Sequence, residues 1–113
     1  MEFYDPSGNV VCYVTDNDRV YSWDGRPLGT MRKERLFRLS GQLVGWLKHG
    51  YVVGMTGDCL LFTPQADSRA GPTLPTRITK PSKGEKQPFP QIGDRAPVPS
   101  MPTMTRSWGL SPF

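Results

Sequence analysis

Four segments of this chain repeat one pattern at a nearly fixed step. They are Phe3-Tyr4-Asp5-Pro6-Ser7-Gly8, Val20-Tyr21-Ser22-Trp23-Asp24-Gly25, Leu36-Phe37-Arg38-Leu39-Ser40-Gly41 and Val52-Val53-Gly54-Met55-Thr56-Gly57. Their glycines lie 17, 16 and 16 residues apart, and an aliphatic residue follows three positions after each: Val11, Leu28, Val44 and Leu60. An internal repeat constrains architecture more than any local propensity does. Here it predicts four copies of one small β unit.

Each copy reads as a β-hairpin. In the third, Leu36-Phe37-Arg38-Leu39 is an apolar run, Ser40-Gly41-Gln42 is turn chemistry, and Leu43-Val44-Gly45-Trp46-Leu47 is the return strand. Glycine accepts positive φ without steric cost, and β-branched and aromatic residues fit a pleated strand. Asp24-Gly25 is one of the strongest hairpin signals. The links Thr15-Asp16-Asn17-Asp18, Arg32-Lys33-Glu34 and Lys48-His49-Gly50 are equally short. Links of that length make consecutive strands antiparallel neighbours. The expected fold is all-β: about eight strands of four to six residues in an up-and-down meander, either closed into a barrel or splayed radially.

Adjacent columns of the repeat are both apolar. Phe3, Val20, Leu36 and Val52 form one, and Tyr4, Tyr21, Phe37 and Val53 form the next. Neighbouring residues of a strand face opposite ways, so both faces of the sheet need covering. One can form the core. A partner subunit or the chain's own tail would cover the other. Gly29 and Gly45 occupy equivalent places within strands, and predict points where strands bend or cross closely.

Composition changes at Pro64. Residues 1–63 form the predicted hairpin domain, while 64–113 hold ten of the twelve prolines. The first part carries seven basic and seven acidic residues; the second carries seven and three, hence the whole net charge of +4. A Pro-rich basic tail of this kind is disordered, or docked on the domain or on a neighbouring subunit. Its large apolar residues Trp108 and Phe113 are the candidate anchors. A core of some 60 residues is marginal alone, so a homo-oligomer is expected, with a tetramer as a candidate order.

The repeat pattern resembles the four-fold β-flower family of small bacterial proteins. The stretches that carry the likeness are the first two repeats, Gly41-Gln42-Leu43-Val44-Gly45-Trp46-Leu47 and Gly57-Asp58-Cys59-Leu60-Leu61-Phe62-Thr63, together with a Pro-rich tail ending near a tryptophan. The resemblance implies a β-hairpin repeat arrangement that can assemble as an oligomer. It implies no catalytic residue and no cofactor. The fourth repeat departs from the pattern, with Gly54-Met55 where the second has Ser22-Trp23, which suggests a cap or an interface.

No constellation for catalysis stands out. His49 is the only histidine and sits in a polar link. Asp5, Asp24 and Asp58 flank hairpin turns, where carboxylates stabilise the turn backbone. Cys12 and Cys59 lack a Cys-x-x-Cys partner and read as reduced, partly buried thiols. No metal site is expected. Tyr4, Tyr21, Trp23, Phe37 and Trp46 are candidates for a subunit interface or for a groove that binds a saccharide or amphiphile. Arg32-Lys33-Glu34-Arg35 with Lys80, Lys83 and Lys86 makes a weak phosphate footprint, and a dedicated nucleic-acid role is not expected. Pro72-Thr73-Leu74-Pro75-Thr76-Arg77 fits a Pro-x-x-Pro-x-Arg form by which the tail could recruit a protein partner. No apolar run approaches a membrane span, and the acidic start lacks the features of a secretion signal. The expectation is a cytoplasmic, non-catalytic binding or scaffold module, with a ligand-binding repeat domain as the alternative.

Overall fold

Five glycines with positive φ mark the reversals of the chain: Gly8, Gly25, Gly41 and Gly57 at the hairpin tips, and Gly50 in the third link. Between them a computed structural model, which describes residues 1–113, has eight strands. These are β1 (Glu2–Tyr4), β2 (Val10–Val14), β3 (Arg19–Ser22), β4 (Pro27–Arg32), β5 (Arg35–Arg38), β6 (Leu43–Lys48), β7 (Tyr51–Val53) and β8 (Cys59–Phe62). Every strand pairs antiparallel with its sequence neighbours, and β1 pairs with β8. The meander therefore closes into a barrel. β1 and β7 have three residues each, one fewer than the shortest strand expected. No helix is long and apolar enough to cross a membrane.

One residue from each strand enters the inner core: Phe3, Cys12, Val20, Met31, Leu36, Val44, Val52 and Leu61. The aliphatic column Val11, Leu28, Val44 and Leu60 has a specific job. In each hairpin the ladder skips it: Tyr4 pairs with Val10 but Phe3 with Cys12, and the same slip recurs at Leu28, Val44 and Leu60. Each is the extra residue of a β-bulge. A bulge bends the strand and raises its twist, which lets short strands close a small barrel. Gly29 and Gly45 follow two of these bulges. A Cβ on Gly29 would lie 1.8 Å from the Phe37 carbonyl oxygen, and one on Gly45 would lie 2.2 Å from that of Val53. Close backbone approach is thus what those glycines permit.

Residues 64–113 contain no strand of their own, yet they run around the barrel. The N–H of Ile78 donates to the Gly8 carbonyl (2.9 Å), Gln87 to Gly25 (2.9 Å), Ala96 to Gly41 (3.0 Å) and Thr105 to Gly57 (2.9 Å). The tail thus meets one hairpin tip every nine residues. Nine residues of polyproline-type chain span about 28 Å, close to a quarter turn around a disc 37 × 36 × 22 Å in extent. The four tip glycines, ordinarily the most exposed part of a hairpin, are buried beneath it.

Candidate functional site

The outer face of the barrel carries the second apolar column, and the tail lies over it. Arg77 stacks on Tyr4 (5.6 Å to the ring centre), Lys86 on Tyr21 (5.7 Å) and Arg95 on Phe37 (5.4 Å). These cations are themselves nine residues apart. At the fourth tip Met104 takes the place of the cation and packs against the cluster of Tyr4, Tyr51, Val53, Cys59 and Phe62. A cation over an aromatic face is attracted by the ring quadrupole, so basic tail and aromatic barrel are complementary. Lys83 bridges Tyr13 (4.0 Å) and Trp23 (4.9 Å), and Arg19 of the barrel reciprocates over Phe89 of the tail (4.7 Å).

The belt closes on itself. The Trp108 indole N–H donates to the Thr73 carbonyl (3.2 Å), and the Arg106 guanidinium donates to the carbonyls of Gly71 and Arg69. Beneath this buckle Trp108 packs against Tyr51 and Phe62, each 5.8 Å away between ring centres. The backbone of Ser107 and Gly109 bonds both sides of Cys59 (2.9 and 2.8 Å). The chain then turns toward the tip end of the barrel. Arg38 donates to the Pro112 carbonyl (3.1 Å) and lies over Phe113, which packs against the inner core.

Of the aromatic candidates, Tyr4, Tyr21, Phe37 and Trp46 are buried, and Trp23 is half-buried with its indole donating to the Pro81 carbonyl (2.8 Å). The structure gathers them into one belt and fills that belt with the tail. The Pro-x-x-Pro-x-Arg stretch is also engaged: Pro72 is buried and its carbonyl accepts from the Tyr51 hydroxyl (2.9 Å).

The titratable candidates stay apart. Asp5 accepts from the N–H groups of Ser7 (2.9 Å) and Asn9 (3.0 Å), as a turn carboxylate does. Asp24 sits below the usual carboxylate range because the Ser22 hydroxyl donates to it, with help from Arg26. Asp58 instead accepts from the Thr105 hydroxyl (2.7 Å) and so helps hold the tail. Burial pushes the Cys12 thiol up to about 12 and the Cys59 thiol up to about 11, the latter aided by the Asp58 charge. Both cysteines are free. His49 is exposed in a two-residue turn at φ 51°. It lines a cavity of about 460 Å³ at the link end of the barrel with Met1, Glu34, Leu47 and Thr63. No group of three or more His, Cys, Asp or Glu stands close enough to hold a metal ion.

Sequence reasoning singled out Arg77, Lys83 and Lys86 for other roles and missed Phe89, Arg95 and Arg106. A signal existed. Thr76-Arg77, Glu85-Lys86 and Asp94-Arg95 recur at a step of nine, as do Pro81, Pro90 and Pro99.

No curated protein and no solved structure matches this chain. A family model does, the one described as 4-fold beta flower protein, and it covers residues 1–113. The match takes in the strap as well as the barrel, and the chain belongs to the 4-fold β-flower family.

Proposed function

We propose that this protein is a small, non-catalytic binding or scaffold module, strapped shut by its own tail and complete as a single copy. The observation that carries this reading is the filled belt. Both apolar faces of the sheet are covered within one chain: the inner by the barrel core, the outer by residues of the strap. The outer face needs either a partner subunit or the chain's own tail to cover it, and the tail meets that need inside the chain. Asp5, Asp24 and Asp58 are engaged in turns and tail contacts, and the thiols are held neutral, which suits a rigid display platform rather than acid–base chemistry. Two free buried thiols fit a reducing compartment, and we place the protein in the cytoplasm.

The alternative, a groove that binds saccharides or amphiphiles on the aromatic hairpins, requires the strap to leave. Tryptophan fluorescence separates the two, because Trp23, Trp46 and Trp108 all touch the strap or its seat. A panel of saccharides and detergents is expected to give no saturable change, with light scattering reporting the mass of one chain. A saturable change with the fold intact, or a scattering mass of several chains, would overturn the reading.

A further inference from the structure

We propose that a pocket between the second link and the strap binds the phosphate group of a small organic phosphate. The pocket is a cavity of about 210 Å³ lined by Arg32, Lys33, Arg35 and Arg95 with Phe37, Ala96 and Val98. Four cations surround it and none has a carboxylate partner: the ion pairs of this chain are Arg26–Asp24, Arg69–Asp67 and Lys80–Glu2. Glu34, the one carboxylate of the link, lines the separate cavity at the link end of the barrel.

Two features of the local structure point the same way. Arg32 and Arg35 face each other directly across the β4–β5 ladder. Like charges in that position are destabilising unless an anion sits between them. The link turns through Lys33 (φ 49°) and Glu34 (φ 61°), where such hairpins ordinarily use Asn-Gly. A lysine is thus held in a left-handed conformation beside the cavity, and strain of this kind gathers at ligand clamps.

The chemistry selects the ligand. Guanidinium groups bind phosphate oxygens bidentately, and Phe37 with Val98 offers an apolar wall for the organic part. The cavity is smaller than a typical drug-sized site, so it suits a phosphate monoester with a small flat body.

The proposal rests on the binding-module reading, and one titration separates the two. Backbone-amide NMR of the full chain is recorded against phenyl phosphate, inorganic phosphate, phenol and a short single-stranded RNA, with phosphorus NMR following the ester. Saturable shifts at residues 32–37 and 95–98, tightest with phenyl phosphate, are expected. The double variant Arg32→Gln/Arg35→Gln is expected to weaken binding about tenfold or more, the scale of a lost charge-assisted hydrogen bond, without a lower Tm. Lys33→Gln is expected to weaken it less and serves if the double variant fails to fold. Absence of saturable shifts at these residues, or binding unchanged in both variants, overturns the proposal. So does RNA that binds tighter than phenyl phosphate with a steep salt dependence. Conversion of the ester to inorganic phosphate would instead sink the non-catalytic reading and leave the pocket standing.

Discussion

Barrel and strap occupy similar lengths of chain and are held by different physics. The barrel is stabilised by burial: eight inner residues, one from each strand, exclude water. The strap is poorer in large apolar residues, and those it has are spread singly along it. Backbone bonds to four glycine carbonyls, cations laid over aromatic rings and a single tryptophan buckle hold it in place. Burial is nonspecific in register, whereas a hydrogen bond to a hairpin tip fixes a residue to a point. The barrel thus sets the shape, and the strap reads that shape out at every quarter turn. The comparison also explains how so small a barrel can stand: its outer aromatic face is buried by a segment that could not fold without it.

The strongest way to break this comparison is to remove the strap. A chain ending at residue 63 exposes Tyr4, Tyr21, Phe37, Trp46 and Phe62 together, and a core of this size is marginal. Loss of near-ultraviolet circular dichroism and of a cooperative melt is expected. A well-folded fragment would mean the barrel needs no strap.

The next largest effect lies where the two regions touch. A Cβ on Gly25 would sit 1.8 Å from the Glu85 carbonyl oxygen at φ +98°. Gly25→Ala should therefore lower stability by about 2–4 kcal/mol in denaturant titrations, from turn strain plus the clash with the strap. Gly54→Ala sharpens the contrast, because its Cβ would meet the Leu60 side chain first, which can move; about 1 kcal/mol is expected. Trp108→Ala opens the buckle and should lower stability by about 2–3 kcal/mol, with faster amide exchange at Gly71 and Thr73 but not at Val20.

The core thiols give a smaller, pH-dependent signature. Unfolded, Cys12 and Cys59 ionise near pH 9; folded, they stay protonated to about 12 and about 11. Their contribution to stability is thus fully present below pH 9 and is lost as the pH rises through the folded values. Denaturant midpoints should fall as the pH rises from about 9 toward about 11, and less steeply in Cys12→Ala. The smallest effect is expected at the link end of the barrel: His49→Asn places an Asn-Gly pair in the third link, where φ is already positive, and should stabilise by roughly 0.5 kcal/mol.

The barrel was legible because its signals are side chains in register. The glycine step located the hairpins, the short links imposed neighbouring antiparallel strands, and Gly29 and Gly45 announced close backbone approach. Even the bulges left a trace in the aliphatic residue three places after each glycine. Closure was not legible, since the single pairing of Tyr4 with Phe62 joins the two ends of the repeat region and has no local signature. The strap was half legible. Trp108 and Phe113 read as anchors because large apolar groups are costly to leave in water, and both are packed. The nine-residue step went unread because its main partners are carbonyl oxygens, which any sequence supplies. Lys83 and Lys86 read as a weak phosphate footprint and Arg77 as part of a recruiting motif, because Tyr4, Tyr21 and Phe37 lie dozens of residues away from them in sequence. The same blindness hid the pocket: Arg32 and Arg35 were visible as a basic cluster, but Arg95 joins them only through the path of the strap.

The central claim is that the tail is bound to every hairpin tip of its own barrel. Native-state amide hydrogen exchange of the full chain tests it most directly. Ile78, Gln87, Ala96 and Thr105 should be protected together, well above the neighbouring proline-flanked amides, and should lose protection together in Gly25→Ala or Trp108→Ala. Exchange of these four amides at the rate of a free peptide, beside a protected barrel, would contradict the account.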